Sequence, residues 1–305
     1  MFRDIFLNRH AELRIPWRVL LFLILGSLAV LALNFPVHLL ALDSAALSGA
    51  LSLLGLLLAT FVMTRFINRK PFGAVGLMLR PDTLRQLGMG LLLGFLMMGG
   101  IFMVELGLGY ATPEWRGLGF WDGAQLIGSS AVLFAIGAAI EELIFRGYLF
   151  QTVIQATTFL PAAILFSGLF ASAHLGNPFL TTFALVNTFL AGLWLSFAYL
   201  KSRSLWLPFA LHFGWNFSQT TLFGFPTSGR GDQERMVIDL LQSGPEWITG
   251  GSFGPEGGVL CTIALLISTG YVLKSRLFEV PSGAITLDSL EDLVHPGPGS
   301  QEAEK

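Results

Sequence analysis

The chain has 305 residues, 53% of them hydrophobic and 12% charged, with a formal net charge of -2. Soluble domains carry about 25% charged residues, so this composition excludes an ordinary soluble protein. The one cysteine, Cys261, lies in an apolar block, which excludes an internal disulfide and a cysteine-based metal site.

The apolar residues fall into long blocks, each able to cross about 30 Å of hydrocarbon as a helix. The blocks predict an all-α polytopic membrane protein with about eight transmembrane helices. In chain order the predicted helices are Trp17 to Leu42, Leu47 to Ile67, Leu84 to Gly109, Gln125 to Phe150, Phe159 to Leu175, Phe179 to Leu200, Leu205 to Phe223 and Gly257 to Leu273.

Two connections and the C-terminal tail have compositions of their own. Between helices three and four, TPEWRGLGFWDG carries Trp115, Phe120 and Trp121, which is typical of an interfacial stretch anchored by aromatic residues. The loop from Gly224 to Pro255 is rich in Gly and Pro and is expected to pack on the outer face. Residues 277–305 are acidic and predict a disordered tail.

The basic residues predict the orientation in the membrane. With eight helices, most of them fall on one side, and the other side holds only Arg116, Arg230 and Arg235. Cytoplasmic loops of membrane proteins are enriched in Lys and Arg, so both termini are expected in the cytoplasm. The basic residues of that side are Arg3, Arg9, Arg14, Arg18, Arg65, Arg69, Lys70, Arg80, Arg85, Lys201, Arg203, Lys274 and Arg276.

Helix four contains three ionisable residues within AIGAAIEELIFRGYLF. A charge at the centre of a spanning helix costs about 2.5–3.5 kcal/mol of insertion free energy. We therefore expect the three ionisable residues to have compensating interactions or a function. Glu142 and Arg146 are four residues apart and can pair on one helical face. Glu141 is rotated away by about 100° and lacks that partner.

Two other helices offer complementary groups. His174 ends the fifth block in LFASAHLGNP, and His212 and Asn216 share one face of the seventh helix in LPFALHFGWNF. We expect the three helices to bring these side chains to one level, in the cytoplasmic half of the membrane or near its midplane, around a polar cavity.

Such a set can hydrolyse an amide through an activated water. A carboxylate removed from bulk water is a stronger base toward a bound water. Imidazoles can position the water, hold a metal ion or donate to an oxyanion. Single intramembrane histidines and Glu–Arg pairs also serve helix packing, and a proton-coupled transporter would use the same residues as a relay. An immunity-type scaffold protein would use the cavity for binding.

The three motifs, taken together and in this order, resemble the CPBP family of intramembrane proteases, also called the CAAX amino-terminal protease or Abi family. EELIFR is similar to its EExxxR motif, FASAH to its FxxxH motif and HFGWN to its HxxxN motif. The resemblance is strong from Gln125 to Phe223. Residues 1–124 hold the first three predicted helices, which carry no signal of this family, and the resemblance implies a catalytic helical core in 125–276.

The resemblance also implies roles for six residues. Glu141 would be the general base on water, which His174 helps to hold; Glu142 and Arg146 would support the site; His212 and Asn216 would stabilise the oxyanion. Whether a metal takes part stays open at this point. The HExxH spacing is missing, yet Glu141, His174 and His212 could bind one divalent ion such as zinc.

The resemblance predicts an intramembrane endopeptidase, metal-assisted or not, in a cell membrane. Membrane lipid and a peptide or membrane-protein substrate are the expected partners, and no nucleic acid. A bacterial plasma membrane is expected by analogy with bacterial members of the family.

Overall fold

The computed structural model describes residues 5–8, 12–42, 44–231, 233–279 and 287. Within them the chain folds into a helical bundle with a single two-stranded sheet. The helices are α1 (Ile15–Leu39), α2 (Ala45–Val62), α3 (Thr83–Gly107), α4 (Phe120–Phe145), α5 (Tyr148–Ala156), α6 (Phe159–Ala173), α7 (Thr182–Ser202), α8 (Trp206–Phe217), α9 (Glu246–Thr249) and α10 (Val259–Lys274), and π-helical turns extend α2 (Met63–Ile67) and α8 (Ser218–Leu222).

The helices confirm the predicted fold class. In the described part of the chain, five helical stretches are long and apolar enough to cross a membrane: Ile15–Leu39, Ala45–Ile67, Thr83–Gly107, Phe120–Ala156 and Thr182–Ser202. Phe159–Ala173 and Val259–Lys274 are shorter apolar helices. Helices dominate because hydrocarbon offers backbone groups no other hydrogen-bond partners.

The fourth predicted helix differs from the prediction of one segment from Gln125 to Phe150. The chain breaks after α4 at Gly147, and α5 continues the span to Ala156. A side chain on Gly147 would place its Cβ 2.1 Å from the carbonyl oxygen of Leu143. Glycine therefore permits a break that the apolar pattern cannot reveal.

Glycines bring α3 and α8 into backbone contact. A Cβ added to Gly94 would lie 2.7 Å from the Leu211 carbonyl oxygen, and one added to Gly214 would lie 2.8 Å from the Leu91 carbonyl oxygen. Small residues allow such close approach between membrane helices. The contact fixes α8, which carries His212 and Asn216, against α3.

A β-hairpin-like pair covers one end of the bundle and was not predicted from the sequence. The strand β1 (Ala111–Trp115) pairs antiparallel with β2 (Ile238–Gln242), with Ala111 opposite Gln242. The sheet joins the connection between α3 and α4 to the long loop between α8 and α10. We call this end, with the loops 108–119, 174–181 and 223–258, the hairpin end.

The opposite end of the bundle carries the basic loops, and we call this end, with the segments 12–14, 68–82, 157–158, 203–205 and 275–279 and the helix ends next to them, the basic end. Contacts join its segments: Arg18 donates to Gln155, Arg80 donates to the Ser202 carbonyl, and Lys201 pairs with Glu279. Next to it lies a core of buried aromatic and aliphatic side chains that includes Phe22, Tyr148, Phe150, Phe166 and Tyr199.

The predicted division into residues 1–124, 125–276 and 277–305 stays a prediction. Its disordered tail lies outside the described residues, apart from 277–279 and Leu287.

Candidate active site

A cavity of about 530 Å³ lies between α4, α6, α7, α8 and α10. Four of the six predicted site residues line it: Glu141, His174, His212 and Asn216. The other two, Glu142 and Arg146, are buried behind its wall. The structure therefore brings the three sequence motifs together around one space.

Arg146 is held by three different helices. Its Nη1 donates to Glu142 Oε1 at 3.1 Å, one helical turn earlier, and its Nη2 donates to the Gly192 carbonyl oxygen of α7 at 2.9 Å. The guanidinium carbon also lies 4.9 Å from the centroid of the Phe170 ring of α6, within the range of cation–π attraction. Only about 1% of the Arg146 side chain is exposed, so the ion pair is shielded from solvent.

Glu142 links the arginine to His212. The same oxygen, Oε1, accepts a hydrogen bond from His212 Nδ1 at 2.9 Å. Because a carboxylate accepts, the proton of this bond belongs to Nδ1, and the imidazole is held in one orientation. Nε2 then points to the other carboxylate, with 3.6 Å between it and Glu141 Oε2.

Glu141 is the accessible member of the carboxylate pair. Its side chain is 34% exposed, against 2% for Glu142. The two adjacent residues therefore lie in different surroundings, one in the cavity and one in the protein interior. A water molecule in the cavity can reach Glu141 and cannot reach Glu142.

His174 lies at the C-terminal end of α6 and also lines the cavity. Its Nδ1 is 2.7 Å from the Phe170 carbonyl oxygen. A carbonyl oxygen only accepts, so Nδ1 carries the proton and Nε2 keeps a lone pair. That lone pair can accept a hydrogen bond from a water. Asn216 lies one turn after His212 on α8 and presents an amide to the same cavity.

The predicted metal site receives no support from this arrangement. In the described ranges, no three His, Cys, Asp or Glu side chains are grouped so that they could hold a metal ion. Glu141, His174 and His212 share the cavity without forming a three-ligand set of the kind zinc requires.

Several cavity residues were not predicted from the sequence. Asn177, Ser228, Arg230 and Glu256 lie in loops of the hairpin end and line the cavity. Glu256 Oε2 accepts a hydrogen bond from the Ser228 hydroxyl at 2.8 Å, which joins two parts of the long loop. An acidic residue within the unusual stretch GGSFGPEGG is the signal that could have identified Glu256.

Asn187 on α7 also lines the cavity and binds the segment that precedes α10. Its Nδ2 donates to the carbonyl oxygens of Glu256 and Gly258, at 2.8 and 2.9 Å, and its Oδ1 accepts from Thr262. It thereby fixes the start of α10 and holds Glu256 beside the cavity.

The middle of the chain is similar to a known protein family. Residues 123–218 match the family model described as Rce1-like, type II CAAX prenyl endopeptidase. This segment contains all six predicted site residues and covers less than half of the chain, leaving α1, α2, α3, α9 and α10 outside the match.

The match confirms the resemblance carried by EELIFR, FASAH and HFGWN, and it supports a membrane-bound protease. No curated protein and no solved structure matches the chain.

Proposed function

We propose that the protein is an intramembrane endopeptidase that hydrolyses a peptide bond with a water activated by Glu141. The observation that carries this proposal is the linked series Arg146, Glu142, His212 and Glu141. It begins with a buried ion pair and ends with an accessible carboxylate in the cavity.

In the first step Glu141 takes a proton from water. The water would lie between the Glu141 carboxylate and the Nε2 lone pair of His174, which both accept hydrogen bonds. A positioned general base contributes about 10²–10⁴-fold to rate. As the proton moves to Glu141, the oxygen attacks the carbonyl carbon of the scissile bond and a tetrahedral oxyanion forms.

In the second step His212 and Asn216 stabilise the oxyanion. With Nδ1–H on Glu142, His212 acts as an imidazolium between two carboxylates and donates from Nε2. The Asn216 amide supplies a second donor. Donors that are fixed before the reaction and shielded from water lower the barrier most effectively.

In the last step Glu141 returns its proton to the leaving amine nitrogen. The C–N bond breaks, the carbonyl re-forms and the two peptide ends leave the cavity. Glu141 is again a carboxylate, so the cycle closes without any other reactant.

The substrate class follows from the family and from the cavity. Apolar residues such as Leu133, Phe134, Ile144 and Phe145 form one wall, which suits a peptide with apolar side chains near the scissile bond. The matched family is described as a type II CAAX prenyl endopeptidase, so prenylated peptides belong among the substrates to be tested.

The test is peptide cleavage by the full chain in detergent micelles. Wild type and Glu141→Gln are incubated with a peptide library and with farnesylated CAAX peptides, and the products are identified by mass spectrometry. We expect cleavage by wild type and a loss of about 10²–10⁴-fold in Glu141→Gln, because glutamine cannot act as the base.

The matched control is Glu114→Gln, the same substitution at an exposed carboxylate of β1. It should cleave like wild type, and both variants should melt at the wild-type temperature. Undiminished cleavage by Glu141→Gln would contradict the proposal.

A further inference from the structure

The cavity is closed towards one end of the bundle and bounded by loops at the other. Towards the basic end its limits are Ile144, Phe145 and Leu195, and beyond them Arg146, Tyr148 and Phe150 are fully buried. Packed side chains therefore separate the cavity from the basic loops.

The loops that border the cavity belong to the hairpin end. Asn177 comes from the loop between α6 and α7, and Ser228, Arg230 and Glu256 come from the loop between α8 and α10. Arg230 is exposed and its Nη2 lies 3.4 Å from Asn177 Oδ1, so the two loops meet at the rim. These loops therefore form the border of the cavity on this side.

The charges of the two ends differ strongly. Among described residues, the hairpin end carries Arg116, Arg230 and Arg235 as its basic side chains, beside the acidic Glu114, Glu234, Asp239, Glu246 and Glu256. The basic end carries Arg14, Arg18, Arg65, Arg69, Lys70, Arg80, Arg85, Lys201, Arg203, Lys274 and Arg276. All these loops are short, the condition under which basic residues determine orientation.

We propose that the active-site cavity opens to the extracytoplasmic side of the membrane, and that its substrates are peptide segments presented on that side. The orientation follows from the charge asymmetry and the position of the rim; the substrate side rests also on the proposed protease function. A prenylated tail in the cytoplasm would face the closed, basic end of the protein.

The orientation is tested with single cysteines and a membrane-impermeant maleimide in intact cells of a bacterial host that expresses the full chain. The background is Cys261→Ala, which removes the one cysteine of the sequence. Ser252→Cys and Arg230→Cys report on the hairpin end, and Thr158→Cys reports on the basic end; all three positions are exposed.

We expect Ser252→Cys and Arg230→Cys to be labelled in intact cells as strongly as in permeabilised cells. Thr158→Cys should be labelled only after permeabilisation. Three outcomes would overturn the proposed opening. They are the reverse labelling pattern, equal labelling of both ends in intact cells, and an Arg230→Cys variant that reacts only in denaturant. The labels should be unchanged in a Glu141→Gln background, because orientation does not depend on activity.

The substrate side is tested in sealed right-side-out and inverted vesicles, with a peptide that wild type cleaves in detergent. Cleavage by right-side-out vesicles, and by inverted vesicles only after detergent is added, is expected. Cleavage by intact inverted vesicles alone would overturn the substrate side. Absence of cleavage in detergent would count against the protease function and leave the labelling result standing.

Discussion

Glu142 is the residue on which the site is built. One of its oxygens accepts from both Arg146 and His212, so the carboxylate compensates a buried cation and orients an imidazole at once. The spacing of EELIFR predicts the pair with Arg146 because positions i and i+4 share a helical face. The bond to His212 joins residues 70 positions apart, and no local pattern encodes it.

Removing the Glu142 carboxylate alone should lower the free energy of unfolding. Removing the carboxylate and the Arg146 guanidinium together should restore stability but not peptide cleavage. Glu142→Leu leaves the Arg146 guanidinium buried without a counter-ion, which costs about 3–5 kcal/mol of unfolding free energy. Glu142→Leu combined with Arg146→Met removes the buried charge as well. We expect most of the stability to return, and cleavage to stay absent because His212 has lost its acceptor.

Denaturant unfolding in detergent and peptide cleavage, measured on the same preparations, check both parts. A single Glu142→Leu variant as stable as wild type would show that the pair is not structurally needed. A double variant that cleaves peptide would show that Glu142 does not position His212.

At the scale of the helices, contacts between backbones place the motifs. The Gly192 carbonyl of α7 accepts from Arg146, and a Cβ added to Gly192 would lie 2.8 Å from the Ser167 Cβ of α6. A glycine within an apolar helix is typical of a close contact between membrane helices, and Gly192 makes such a contact. Which helix it contacts, and that the contact also serves Arg146, depends on tertiary packing.

Gly192→Ala should separate α6 from α7 and disturb the site. The added methyl overpacks a tight contact, which costs about 1–3 kcal/mol of unfolding free energy, and the resulting shift moves His174 away from Glu141. We expect a lower unfolding temperature together with slower cleavage.

Gly168→Ala is the matched control, since this glycine lies on α6 with no atom within 4 Å of the added Cβ. An alanine there should be neutral or stabilise the helix by up to about 1 kcal/mol. Equal effects of the two substitutions would show that the contact at Gly192 is not tight.

At the scale of the whole molecule, composition and apolar blocks are enough to predict an all-α membrane protein and the approximate positions of its helices. The pairing of strands at the hairpin end could not be predicted from the sequence. β1 and β2 are five residues each and lie more than 120 positions apart, so their pairing has no local signal. The rim of the cavity could not be predicted for the same reason, because its loops meet only after the bundle has formed.

One buried hydrogen bond ties the hairpin end to the bundle. The Glu105 side chain of α3 is fully buried, and its Oε2 accepts from Gln242 Nε2 of β2 at 2.9 Å. The sequence offered no partner for Glu105, since Gln242 is far along the chain. Gln242 Nε2 also lies 3.2 Å from the Thr249 carbonyl oxygen, so this side chain joins α3, β2 and α9.

Gln242→Leu should loosen the long loop without substituting any residue that lines the cavity. It deprives a buried carboxyl group of its donor, which costs about 1–3 kcal/mol or more. We expect a lower unfolding temperature, faster proteolysis within 223–258 and reduced peptide cleavage, because Ser228 and Glu256 shape the rim from this loop.

Combining Gln242→Leu with Glu105→Leu removes the unpaired carboxyl group and should return the unfolding temperature towards wild type. The control is Leu241→Gln, at an exposed position of the same strand. It should change the unfolding free energy by no more than about 0.5 kcal/mol and leave proteolysis and peptide cleavage as in wild type. If Gln242→Leu behaves like Leu241→Gln, the bond to Glu105 does not hold the rim in place.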